Sequence, residues 1–82
     1  MQLEVLLFAA ARDAAGCDRM HVDVHEPVFA GDVLDAIGTQ LPRLSGLLPA
    51  CRLAVDCHYV TRETPIVDAG CEIALIPPVS GG

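Results

Sequence analysis

With 82 residues the chain has room for one domain. Its formal net charge of −6, with five Arg and no Lys, argues against a phosphate-backbone binder. No stretch approaches the ~18 apolar residues of a membrane-spanning helix, so neither nucleic acid nor a membrane is expected as a partner.

Residues 1–9 alternate. Leu3, Val5 and Leu7 fall on one face, and Gln2, Glu4, Leu6 and Phe8 on the other, which predicts a strand. With Glu4 inside the apolar run and no basic lead, this segment is a strand and not a signal peptide, and a cytoplasmic location is expected. The second face begins polar and ends apolar. Leu6 and Phe8 therefore either lie exposed near the strand's C-terminal end or belong to a second buried face. Residues 10–16 are Ala-rich and close on Gly16, the pattern of a short helical turn with a glycine cap and with Arg12 and Asp13 in solvent.

Residues 18–25 alternate again, with Met20, Val22 and Val24 against His21, Asp23 and His25. They predict a second strand, antiparallel to the first. His-x-Asp-x-His contains metal-ligating residue types, but the sequence places no further ligand, so no metal is expected. Pro27 ends the strand. Val33, Leu34, Ile37 and Leu41 then form an apolar stripe, predicting a helix that begins near residues 30–32 and stops before Pro42. Val28 or Phe29 is placed to pack on its first turn.

Residues 42–50 read as a linker with a short helix near 44–48, tied to the core by Leu47 and Leu48. Residues 52–56 predict a third strand with Leu53 and Val55 inward. A turn at Asp56-Cys57 leads to a short fourth strand over residues 58–61. Thr64-Pro65 breaks the chain, Asp68-Ala69-Gly70 makes a turn, and residues 71–76 form the last strand. There Ile73 and Leu75 share one face, and Glu72, Ala74 and Ile76 the other. A sheet covered on one side by a single main helix is α+β. The first and last strands are the most apolar and should lie centrally. Paired in parallel, they would bring Leu6, Phe8 and Ile76 to one end of the open face.

The last strand runs directly into Pro77-Pro78-Val79-Ser80-Gly81-Gly82. Proline ends the ladder, and six extended residues reach roughly 20 Å. The Pro-Pro step stiffens the base of this arm, and Gly81 and Gly82 leave its tip without a Cβ. Residues 1–77 thus read as the domain and 78–82 as a flexible tail. A carboxylate on so thin a tail can be threaded into another protein's active site; the bland alternative is a frayed terminus. Cys17, Cys51, Cys57 and Cys71 form no CxxC pair and are expected as free, mostly buried thiols. Cys51, beside Arg52, is the one cysteine with a cationic sequence neighbour, although adjacent strand residues point to opposite faces.

Two segments carry a family resemblance. Leu6-Leu7-Phe8-Ala9-Ala10-Ala11-Arg12-Asp13-Ala14-Ala15-Gly16 and Ala74-Leu75-Ile76-Pro77-Pro78-Val79-Ser80-Gly81-Gly82 resemble the first strand and the signature tail of the ubiquitin-like MoaD/ThiS sulfur carriers. Within that family the chain is most similar to the small subunits of molybdopterin synthase. The resemblance is weak over residues 26–50. It departs at Asp56, where the family often has Asn, and at Asp68-Ala69-Gly70-Cys71-Glu72, where Gly-Asp-Glu is usual.

The resemblance implies a β-grasp fold, with a mixed sheet of four or five strands on one main helix. It implies that an ATP-dependent adenylating partner activates the Gly82 carboxylate and that a persulfide-derived sulfur converts it to a thiocarboxylate. The tail then donates sulfur to cyclic pyranopterin monophosphate inside a large synthase subunit, in a heterotetramer of two small and two large subunits. Gly82 and Gly81 would be the reactive end. Leu6, Phe8, Ile76, Pro77, Pro78, Val79 and Ser80 would dock and present it. The chain would bind no cofactor itself, ATP being the partner's substrate, and it lacks a Gly-rich phosphate loop. It would be a carrier without catalysis of its own. The rival readings are a thiamine-pathway sulfur carrier, which generally lacks Pro-Pro before the tail, a ubiquitin-like modifier, and a binding module with an inert tail.

Overall fold

The computed structural model describes residues 1–78. The predicted period of two forms strand β1, Gln2–Leu7, with Leu3, Val5 and Leu7 buried and Leu6 half-buried. Helix α1, Ala9–Ala15, follows at once and ends on Gly16 in the left-handed region at φ 77°, where the Gly16 N–H donates to the Arg12 carbonyl at 2.9 Å. A residue without Cβ takes that conformation at least cost. Strand β2, Arg19–Asp23, returns antiparallel to β1 with Met20 and Val22 inward. Two bonds between Met1 and Val24, of 2.8 and 2.9 Å, continue this pairing past the strand ends.

Helix α2, Ala30–Gln40, begins where the Asp32 carboxylate accepts the Phe29 N–H at 2.9 Å. Val33 and Ile37 of the predicted stripe are fully buried, while Leu34 and Leu41 pack at its margin. Strands β4, Arg52–Val55, β5, His58–Val60, and β7, Ile73–Ile76, complete a five-stranded mixed sheet in the order β2-β1-β7-β4-β5. β1 and β7 pair in parallel at its centre, and β4 is antiparallel to both of its neighbours. The architecture is the expected α+β arrangement of the β-grasp fold, a mixed sheet wrapped on one main helix.

Two features differ from the sequence expectations. Strands β3, Val28–Phe29, and β6, Pro65–Ile66, form a separate two-stranded sheet, although the Pro65 segment reads as a break. Two residues per strand are too few to display a period, and the pairing joins segments with α2, the turns after it, β4 and β5 all between them. The segment after α2 forms two single 3₁₀ turns, Pro42–Leu44 and Leu48–Ala50, in place of one short helix. Its core residue is Leu44, at 0% exposure, while Leu47 and Leu48 are half-buried. Of the two residues expected to pack on the first turn of α2, Val28 is buried and Phe29 stands 40% exposed, so the expectation is met by Val28.

Leu44 plugs the core from a segment with little regular hydrogen bonding of its own. Leu44→Ala should therefore lower stability by about 2–5 kcal/mol, a large share of the roughly 5–15 kcal/mol available to a small domain. Urea unfolding should show a lower midpoint with an unchanged slope.

Candidate functional site

The face of the sheet turned away from α2 carries the candidate site. Register places Leu6 of β1 beside Ala74 of β7, Ala74 beside Ala54 of β4, and Ala54 beside Tyr59 of β5. Two alanines in the middle of this row make a trough, because a single methyl leaves each position low between larger neighbours. Ala54 and Ala74 are 6% and 8% exposed at its floor. Phe8, Tyr59 and Ile76 stand around it with Cys57 and Glu72, enclosing a hollow of about 370 Å³. Phe8 is 45% exposed and Tyr59 60%, so this face is not covered by the chain's own described loops.

Each wall is held locally. Phe8 is the residue between β1 and α1, in extended conformation, and its carbonyl accepts the N–H groups of Ala11 and Arg12 at 3.0 and 3.3 Å. Extended geometry keeps the alternation of β1 for one more residue, which turns the ring outward. Tyr59 is brought in by a two-residue hairpin whose Asp56 and Cys57 have φ of 49° and 69°. Positive φ at both central positions is the primed-turn geometry that fits the twist of paired strands. Asp56 fixes this turn to the start of the last strand. Its N–H donates to the Glu72 carbonyl at 2.8 Å, and its carboxylate accepts the Glu72 N–H at 2.9 Å. An Asn would offer the same side-chain oxygen, so the departure at Asp56 leaves this bond possible.

Phe8 and Ile76, expected together, line one hollow. Leu6 lies on the same face but lines a neighbouring hollow with Glu4, Arg19 and Cys71. Pro77 is buried and Pro78 exposed, and both line a third hollow with Ala50, Arg52, Tyr59 and Ile76. Val79, Ser80, Gly81 and Gly82 lie outside the described residues. Sequence reasoning missed Ala54, Tyr59 and Arg52 as members of this face. The signal was present, since Leu53 and Val55 facing inward place Arg52 and Ala54 outward, and a two-residue turn sets Tyr59 opposite Ala54. On the far edge, His21 sits across from Glu4, with Nε2 3.3 Å from the carboxylate, and β2 ends at Asp23 before His25.

The sequence model of the ThiS family matches residues 5–82. Over the full length of both chains, 32% of residues are identical to the molybdopterin synthase sulfur carrier subunit of Chlamydomonas reinhardtii. Among solved structures, SAMP1 from Haloferax volcanii superposes with a TM-score of 0.86 at 31% identity, covering all of both chains. A solved complex of subunits 1 and 2 of the molybdopterin-converting factor from Helicobacter pylori contains a chain matched at a TM-score of 0.70 and 26% identity, again over all of both chains.

The cysteines differ from the expectation of mostly buried thiols. Cys17 and Cys57 are exposed, and Cys51 and Cys71 are half-buried. Burial pushes the Cys51 thiol above its ordinary pKa. Burial raises Cys71 as well, reinforced by the negative charges of Asp56 and Asp68. A raised pKa lowers the thiolate fraction at neutral pH, which removes the sequence argument for Cys51 as a reactive sulfur. At pH 7.5, alkylation followed by peptide mapping should modify Cys17 and Cys57 first. Cys51 and Cys71 should lag behind them, and raising the pH should speed modification of Cys51 and Cys71.

Proposed function

The chain belongs to the ThiS family, and from that membership we propose that it is the sulfur carrier subunit of a molybdopterin synthase. The observation that carries this reading is the end-to-end similarity to curated relatives of that name. The exposed trough at the root of Pro77-Pro78 supports it, because a carrier needs an apolar seat for each protein that handles its tail.

In this reading an ATP-dependent enzyme adenylates the Gly82 carboxylate, and a persulfide-derived sulfur takes the place of AMP. Adenylation is needed because a carboxylate resists nucleophiles until one oxygen can leave as a phosphate ester. The resulting thiocarboxylate is a soft nucleophile, suited to building the dithiolene on cyclic pyranopterin monophosphate. ATP and the acid–base groups belong to the partners. This chain contributes a seat for them and an end group narrow enough for a channel, with Gly81 and Gly82 offering no Cβ to its walls. Residues 1–77 act as the body and 78–82 as the arm. The large synthase subunit is the acceptor, in a heterotetramer of two carriers and two large subunits in the cytoplasm. The solved Helicobacter pylori complex of two such subunits supports the pairing.

The likeness to SAMP1 favours one second reading, attachment of Gly82 to amines of other proteins. Both readings begin with adenylation and part afterwards. With no Lys in its 82 residues, the chain has no ε-amine on which to receive a copy of itself.

Intact mass spectrometry of chain recovered from its host separates these fates. Sulfur loading exchanges one terminal oxygen for sulfur, and conjugation leaves Gly82 in an amide bond. We expect the sulfur-loaded form. Deleting Gly82, or adding one residue after it, should abolish loading, and Gly81→Ala should slow transfer; normal loading of an extended chain would refute the reading. Phe8→Glu should weaken large-subunit binding by roughly thirtyfold or more, the scale of losing one interface hot spot. Its thermal midpoint should fall much less than that of a core substitution such as Leu44→Ala, because Phe8 is 45% exposed.

A further inference from the structure

Arg52 differs from the other arginines of the chain. Arg12 lies 4.0 Å from Asp13, and Arg19 lies 3.7 Å from Glu4 and 3.6 Å from Asp18. Arg62 makes two bonds to Asp35, and Arg43 donates to the Ala14 carbonyl at 3.4 Å. Among the described residues Arg52 has no carboxylate within ion-pair distance. Its guanidinium is instead held over the Tyr59 ring, 5.1 Å from the centroid. Contact with an aromatic face restrains a guanidinium without consuming its N–H donors. Arg52 also stands directly across from Ile76, the last residue of β7, and lines the hollow of about 230 Å³ that Pro77 and Pro78 complete.

We propose that Arg52 and Tyr59 form a carboxylate-binding subsite at the root of the arm, and that it receives an Asp or Glu side chain of the large synthase subunit. This rests on the carrier reading above and names a contact within it. Three observations point to that occupant. The donors left free on a restrained guanidinium match the two oxygens of a carboxylate. The hollow shares Tyr59 and Ile76 with the apolar trough, so a protein seated on the trough reaches it without a second interface. A partner that encloses the arm must also pass over Pro77 and Pro78, which are walls of this hollow. On a body of net charge −6, a cation without a carboxylate beside it repels basic groups that the net charge of the body attracts. The subsite therefore sets register and partner choice more than it adds attraction.

The test uses the full-length chain and the large subunit encoded in the same genome, with binding followed by calorimetry. Arg52→Glu should weaken binding by about tenfold or more, with an unchanged thermal midpoint because Arg52 is exposed. Arg52→Lys should fall between the two, and Tyr59→Phe, which keeps the ring, should match the parent. Among Asp→Arg and Glu→Arg swaps on the large subunit, one should restore binding to Arg52→Glu while weakening the parent chain. Parent-like binding by Arg52→Glu would overturn the subsite and leave the carrier reading standing. A defect confined to adenylation, with large-subunit binding intact, would likewise overturn it. Absence of binding by the unmodified chain would sink the carrier reading and the subsite with it.

Discussion

The parallel pairing of β1 with β7 is the constraint on which the rest depends. Val5, Leu6 and Leu7 lie beside Ile73, Ala74 and Leu75, joining the start of the chain to its end at the centre of the sheet. Parallel strands point the same way, so both leave the sheet at one edge. That is why Phe8 and Ile76 share a hollow and why Pro77 emerges beside them. Had the last strand run antiparallel to the first, the Pro-Pro segment would leave from the opposite edge, far from Phe8. The pairing also spans nearly the whole sequence. Its loop-closure cost is larger than that of the local antiparallel pairings, β1 with β2 and β4 with β5.

The two faces of that pairing are built from different side-chain sizes. Inward, Val5, Leu7, Ile73 and Leu75 are all at most 2% exposed and fill the space under α2. Outward, the same strands offer Leu6, Ala74 and Ile76, with Ala54 beyond. Large residues inward give close packing and a rigid sheet. Small residues at the centre of the outer face give a depression with aromatic walls, and a rigid floor keeps its shape. One alternation thus supplies both the stability of the body and the form of its seat.

Much of this was legible in the sequence because it is periodic. The period of two in residues 1–9 and in the last strand, the stripe Val33-Ile37 and the glycine stop at Gly16 are local signals that the tertiary structure does not override. What stayed hidden lacks a period or depends on register. β3 and β6 are too short to read, and Leu44 is buried by the path of a turn segment whose hydrophobicity is no higher than that of Leu47 or Leu48 beside it. The turn at Asp56-Cys57 and the strand after it were legible, but a turn without glycine gives no sign of its positive φ, so Tyr59 opposite Ala54 could be reached only by counting register across it. The cysteine expectation failed for a related reason. Cys17 follows a helix cap and Cys57 sits in a turn, and position in a turn outweighs the residue's general tendency to be buried.

The distribution of charge follows the same division of labour. Exposed pairs lie outside the trough, Arg19–Glu4 in the neighbouring hollow toward the β2 edge and Arg62–Asp35 beside α2, where salt and solvent leave them little net worth. The trough itself has apolar and alanine side chains at its centre and places Glu72 and Arg52 toward its rim. An interface with an apolar centre and a polar rim can exclude water from the contact and still tolerate being solvated when the chain is alone. That balance is what the proposed carrier role asks of a face that must be solvated whenever the chain is alone. A larger apolar face would bind more tightly but release more slowly, and it would invite self-association in the free chain.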